Sequence, residues 1–199
     1  MLFRSRTAIT ITAESKTRVY GTDNPELTFV FSGFAPGESL ASSDITGDLD
    51  ISTTANINSP AGSYPIVLSQ GSLYSNNYVF NIVSSTLRIT KAPLTIIAEN
   101  KSKIYGSANP PLTVNYMGFM NGETLATSGI TGSPSVTTTA TMSSGVDLYD
   151  IVVQKGNLSS VNYDFNFISG SLIVKKAMLT VTADSKTKFY GQDNPALTY

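Results

Sequence analysis

Thr17-Arg18-Val19-Tyr20-Gly21-Thr22-Asp23-Asn24-Pro25-Glu26-Leu27-Thr28 decides the fold, because the same pattern returns twice. It reappears as Ser102-Lys103-Ile104-Tyr105-Gly106-Ser107-Ala108-Asn109-Pro110-Pro111-Leu112-Thr113 and as Thr187-Lys188-Phe189-Tyr190-Gly191-Gln192-Asp193-Asn194-Pro195-Ala196-Leu197-Thr198. The spacing between successive Tyr-Gly pairs is 85 residues each time. Working outward, residues 8–92 align with 93–177 without a gap, and a third copy opens at Met178 and runs to Tyr199. Self-similarity at a fixed interval marks a repeat architecture. The expected organisation is therefore an N-terminal remnant (1–7), β-rich module 1 (8–92), β-rich module 2 (93–177) and the truncated start of module 3 (178–199). A copy stopping mid-pattern makes the chain read as a piece of a longer one. Its last 22 residues are too few to bury a core of their own and are expected to fray or to lean on module 2.

Each copy opens with a period-two stretch. Ile9, Ile11 and Ala13 alternate with Thr10 and Thr12; Leu94, Ile96 and Ala98 repeat this, as do Leu179, Val181 and Ala183. One apolar face at period two predicts a half-buried strand. The Tyr-Gly and Asn-Pro residues then punctuate a turn, since Gly accepts positive φ, Pro fixes its own, and Asn bonds its own backbone. Further strands are expected around Leu27, Phe29 and Phe31, from Ile51 to Ala55, and through Tyr64, Ile66 and Leu68. A long last strand carries Tyr78, Phe80 and Ile82, then Leu87 and Ile89 after a break at Ser84-Ser85. Only Gly33 to Ala41, with its counterpart Gly118 to Ala126, has room for a single helical turn. The join Thr90-Lys91-Ala92-Pro93-Leu94 holds no Gly/Ser-rich linker, so modules are expected to be separately folded and threaded with little slack, as a semi-rigid rod.

Composition removes whole classes of function. Charged residues make up only 14% of the chain and the net charge is −1 with no basic cluster, which excludes a nucleic-acid partner. No apolar run reaches membrane-spanning length. The start, Met1 to Thr7, has arginines but no apolar segment and does not read as a secretory leader. With no Cys and no His, thiol catalysis, thiolate metal sites and the usual general base are gone.

The remaining candidate sites have plain structural readings. Tyr20-Gly21 and its repeats could present a hydroxyl to a partner; the simpler reading is a ring capping the core beside a turn glycine. Asp44, Asp48 and Asp50 alternate as in a Ca²⁺ loop, but their counterparts are Gly129, Ser133 and Ser135, so an ion serving the module would lose its ligands in the second copy. Glu38 and Glu123 recur after a Gly, which suits a turn or helix N-cap. A Ser–Lys dyad is left open by the sequence, although Ser and Lys are scattered through exposed turns; the glycines form no phosphate loop followed by a helix. Asn100-Lys101-Ser102 and Asn157-Leu158-Ser159 match glycosylation sequons. No catalytic, cofactor-binding or metal residue is assigned, and no cofactor is expected.

Leu179-Thr180-Val181-Thr182-Ala183-Asp184-Ser185-Lys186-Thr187-Lys188-Phe189-Tyr190-Gly191, followed by Asn194-Pro195 and Leu197-Thr198-Tyr199, together with Gly37-Glu38, Thr53-Thr54-Ala55, Gly62-Ser63-Tyr64-Pro65-Ile66 and Asn77-Tyr78, resembles the MBG repeat with a Tyr-Gly signature. That repeat occurs in tandem in large secreted bacterial adhesins, including filamentous-haemagglutinin-like proteins. The resemblance covers essentially the whole chain; the second copy departs from it at Asp147-Leu148-Tyr149-Asp150. It implies tandem, mainly β (α+β) modules, β-grasp-like with at most one short helical segment each, extracellular at a bacterial cell surface and without catalytic role. An immunoglobulin-like sandwich is the alternative, because short alternating strands suit both. The functional expectation is a non-catalytic, monomeric stalk or spacer of an adhesin, host glycoprotein or glycan being bound by other parts of such a protein. The alternative is that the modules bind a host glycoprotein, glycan or matrix polymer themselves, through a strand edge or exposed aromatics such as Tyr74.

Overall fold

The chain folds as an all-β protein in the computed structural model, which describes residues 5–199; Met1 to Arg4, part of the expected remnant 1–7, lie outside the described residues. The first repeat contributes β1 (Thr7–Ala13), β2 (Lys16–Val19), β3 (Phe29–Ser32), β4 (Asp50–Thr53), β5 (Gly62–Ser69), β6 (Tyr78–Val83) and β7 (Ser85–Thr90). The second contributes β8 (Ala92–Ala98), β9 (Lys101–Ile104), β10 (Val114–Met117), β11 (Ser135–Thr138), β12 (Leu148–Gln154), β13 (Tyr163–Ile168) and β14 (Gly170–Lys175). The expected helical segment is reduced to a 3-10 turn at Leu40–Ser42 in the first copy, and to plain turn in the second.

Alternation does what the sequence requires. Ile9, Ile11 and Ala13 on β1, Ile66 and Leu68 on β5, and Leu87 and Ile89 on β7 are buried, and Thr10 and Thr12 are not. Four sheets result, in the orders β3-β1-β6, β2-β7-β5-β4, β10-β8-β13 and β11-β12-β14-β9. Each contains a parallel pair: β1 with β6, β2 with β7, β8 with β13 and β9 with β14. A purely antiparallel immunoglobulin-like sandwich is therefore excluded.

One expectation about the strands is corrected. The long last strand is two strands, because the chain leaves the first sheet after β6 and enters the second as β7. The first strand makes the same switch between β1 and β2. Strands that pass between sheets do so at a corner, and polar groups freed there need partners. Ser15 and Ser85 supply one pair, Oγ to Oγ at 2.7 Å, and the Ser84 hydroxyl accepts the Leu68 amide at 3.3 Å. The sequence offset between paired residues is the same on both sides of the corner (Thr7 with Tyr78, Lys16 with Leu87), so the two strand runs keep one register across it.

The compact units do not follow the repeats. One comprises residues up to 97 with 114–135 and 153–168; the other comprises 98–113, 136–152 and 169–199. In the first unit the buried cluster runs from Ile9, Ile11, Ile66 and Leu87 through Ala92 and Leu94 to Tyr163. Apolar burial therefore does not stop at the Thr90–Leu94 join. The second unit buries Ala98, Ala140, Ile151, Leu172 and Val174 around the β12–β14–β9 ladder.

Residues 178–199 form no strand, and Leu179 and Val181 are exposed. An alternating segment gains a buried face only against partner strands, and this one pairs with none among the described residues. A local clamp nevertheless recurs in all three copies. Thr28, Thr113 and Thr198 donate their hydroxyls to Glu14, Glu99 and Asp184, the last two at 2.6 and 2.5 Å, and the amides of those acidic residues donate back to the Thr carbonyls at 2.9, 3.0 and 2.9 Å.

Candidate functional site

The recurring Tyr-Gly and Asn-Pro residues organise one turn. Gly21, Gly106 and Gly191 lie at φ of 77°, 84° and 80°, a region that favours glycine. Asn24 and Asn109 donate from Nδ2 to the carbonyls of Ala55 and Ala140 at 2.7 and 2.6 Å, tying the turn to the segment after β4 or β11. A buried cation completes the knot. Arg18 donates Nε to Asn24 Oδ1 at 2.7 Å and Nη2 to the Asn56 carbonyl at 2.5 Å. In the second copy Lys103 donates to the carbonyls of Ser107, at 3.1 Å, and Thr141, leaving the buried Asn109 Oδ1 without a protein partner.

The three tyrosines of this turn have different surroundings. Tyr20 is 3% exposed, Tyr105 50% and Tyr190 fully exposed, although Tyr20 and Tyr105 make the same backbone bond, to the Thr90 and Lys175 carbonyls at 2.8 Å. The ring of Tyr20 joins the buried cluster, whereas its counterpart Tyr105 is left half exposed. Tyr20 is buried by residues of the second repeat that belong to the same compact unit. Its ring meets Tyr163 edge-on at 5.7 Å, and its hydroxyl donates to Glu123 Oε1 at 2.6 Å. The adjoining Gly21 lies so close to Met120 that a Cβ there would stand 2.5 Å from Met120 Cβ, whereas the same atom at Gly106 would meet nothing within 4 Å.

Glu123 is built to receive that hydroxyl. Its other oxygen, Oε2, accepts from Tyr163 at 2.5 Å, and the Tyr163 oxygen in turn accepts the Met120 amide at 3.0 Å. The residue sits at the end of a tight turn whose Glu123 amide bonds the Met120 carbonyl at 2.9 Å. Asn121 and Gly122 both take positive φ, the geometry that Asn-Gly turns favour. The first repeat reaches the same end with Pro36-Gly37, of which only Gly37 has positive φ, as a Pro-Gly turn requires. There the Glu38 amide bonds the Ala35 carbonyl at 2.9 Å and its carboxylate accepts from the Tyr78 hydroxyl. The turn role expected of Glu38 and Glu123 is therefore incomplete: their carboxylates serve tyrosines rather than a helix N-terminus.

Two further bonds brace the joint. The Ala61 amide donates to Asn162 Oδ1 at 3.1 Å, and Lys91 Nζ donates to the Ser160 carbonyl at 2.8 Å. Burial, and then the bond to Glu123, raise the Tyr20 phenol above its ordinary pKa. Burial and the same carboxylate push Tyr163 up to about 12. Both hydroxyls stay protonated at neutral pH, which is what donation to one carboxylate demands.

The other residues weighed from sequence are spoken for. Asp44 accepts from Ser75 Oγ at 2.5 Å and from the Asn76 amide at 2.9 Å, and the Ser75 bond chiefly holds its carboxyl below the usual range. Asp44, Asp48 and Asp50 do not converge into one group among the described residues. Asn100 Oδ1 accepts the Ser171 amide at 2.8 Å, and Asn157 Oδ1 the Ser133 amide at 2.7 Å, so both sequon side chains hold corners. Tyr74 is exposed and donates to Asn76 Oδ1 at 2.7 Å. The residues that sequence reasoning missed are Tyr163 and the receiving role of Glu123. A signal existed: Glu38 with Tyr78 and Glu123 with Tyr163 recur at one spacing, as the Tyr-Gly pairs do.

Set beside known protein families, residues 9–88 and 94–173 each match the MBG domain (YGX type). No curated protein matches the chain.

Proposed function

Because this chain belongs to the MBG domain family of the YGX type, we propose that it is a non-catalytic tandem-repeat segment of a bacterial cell-surface adhesin, serving as a semi-rigid stalk or spacer. The observation that carries this reading is the joint at Tyr20. A flexible tether spends nothing on the contact between successive repeats, whereas here a phenol, an edge-on ring pair and two braces are committed to it. Stiffness supplied by side-chain contact, in addition to a short join, is what a spacer needs in order to hold a binding element away from a surface. The extracellular setting and the absence of catalysis follow from the same reading.

Small-angle scattering on chains of increasing repeat number tests it. A spacer gives a maximum dimension that grows in proportion to the number of repeats, and no saturable binding on arrays of glycans or matrix proteins. Growth with the square root of repeat number, or submillimolar binding by the repeats themselves, refutes it.

A further inference from the structure

Among the described residues, the first repeat carries an unfilled version of the site that Tyr20 occupies on the second. A cavity of about 210 Å³ opens beside Glu38 and is lined by Arg6, Ala35, Asn77 and Tyr78 among others. One repeat length on, these positions are Lys91, Met120, Asn162 and Tyr163, the residues around Tyr20, and Glu38 becomes Glu123. The receiving chemistry is already assembled at Glu38. The carboxylate accepts from Tyr78, the Tyr78 oxygen takes the Ala35 amide at 3.1 Å, and Phe34 meets the Tyr78 ring edge-on at 6.1 Å, as Phe119 meets Tyr163 at 5.9 Å. In the occupied site one oxygen of Glu123 serves the resident tyrosine and the other serves Tyr20. At Glu38, among the described residues, the resident bond is the one made.

The matching insert is also present. Tyr105 and Gly106 form the same turn as Tyr20 and Gly21, with the same backbone bond behind it. The Tyr105 ring is half exposed, Ile104 beside it is 51% exposed, and the space above Gly106 is open.

We infer that the Glu38 cavity is a socket for the Tyr-Gly turn of another copy of this repeat joined in tandem. The incoming phenol donates to the free Glu38 oxygen and the ring packs edge-on against Tyr78. The recurring tyrosine is thus a plug and the recurring Gly-Glu turn a socket, so that each repeat carries both halves of the joint. This rests on the tandem-spacer reading but commits it to a particular contact.

The test grafts residues 93–177 directly in front of Ala8 in the full chain, which places the added Tyr105 at the same distance from Glu38 as Tyr20 lies from Glu123. The original Tyr105 is changed to Phe, so that only the added copy reports. Tyrosine nitration followed by peptide mass spectrometry then compares three phenols: Tyr20, the added Tyr105, and Tyr105 in the chain without the graft. Expected is slowing of the added Tyr105 by roughly tenfold or more relative to the ungrafted chain, to the level of Tyr20, since reaction then requires the joint to open. Glu38→Gln in the grafted chain should give back part of that protection while leaving Tyr20 unchanged. Fast nitration of the added Tyr105 with Tyr20 protected overturns the socket and leaves the spacer reading standing. Binding on a glycan array would sink the spacer reading without touching the protection.

Discussion

Replacing Lys103 by Arg should stabilise the second repeat, and the reason lies in one oxygen. In the first repeat the guanidinium of Arg18 reaches Asn24 Oδ1 through Nε and a carbonyl of the following loop through Nη2. The ammonium of Lys103 reaches two carbonyls and has no second donor arm for Asn109 Oδ1, which is buried and unmatched in the protein. A buried acceptor left without a donor costs about 1–3 kcal/mol, and the rigid fork of Arg supplies donors that a point-like ammonium cannot. Lys103→Arg keeps the carbonyl bonds through Nη and adds the Nε bond, so the net gain should be about 1–2 kcal/mol. For a unit of this size that corresponds to a rise of several degrees, roughly 4 °C or more, in its melting temperature. Arg18→Lys should lose a comparable amount in the first repeat. Hydrogen exchange read by mass spectrometry localises the change, with slower exchange expected around Asn109 and Ala140 and little change around Asn24. If Lys103→Arg leaves exchange there untouched or faster, and Arg18→Lys costs nothing, the argument from the orphaned oxygen is wrong.

Two further outcomes follow from the joint. Tyr20→Phe removes a hydrogen bond to a carboxylate and should cost about 1.5 kcal/mol, whereas Tyr105→Phe, at the half-exposed counterpart, should fall within about 0.5 kcal/mol of the parent; equal effects in urea unfolding would refute the assignment. Because Tyr163 is raised to about 12 and Tyr20 is raised by burial and Glu123, the fold favours their protonated forms, and this stabilisation is fully present below the ordinary phenol pKa near 10. It should be lost as pH climbs from about 10 towards 12, so near-ultraviolet circular dichroism should show loss of aromatic packing in that window, earlier in Glu123→Gln than in Glu14→Gln. Retention of the full signal at pH 12 would contradict it.

Local pattern was readable and long-range pairing was not. The alternation in Thr7–Ala13 gave the buried face of β1 because period two depends only on neighbours in sequence. The break at Ser84-Ser85 was visible too, but whether a chain pauses within one sheet or turns into another depends on Ser15, Leu68 and the strands beside them, far away in sequence. Tyr20 shows the same boundary. Its turn was legible from Gly21 and Asn24-Pro25, but its burial is decided by Glu123 and Tyr163, more than a hundred residues on. Nothing local to the second Tyr-Gly pair says that Tyr105 should be left half exposed. The third copy makes the point from the other side: Leu179 and Val181 keep the strand pattern, yet form no strand and stay exposed.

The parallel pairs of the first repeat also set how it meets a pull. The first repeat begins at Thr7 on β1, which runs parallel to β6, and ends at Thr90 on β7, which runs parallel to β2. Drawing the two ends apart drags β1 one way and the β6–β7 run the other, along the strands rather than across them. Every hydrogen bond of both ladders is then strained at once in shear, instead of one after another as in the peeling of a hairpin from its open end.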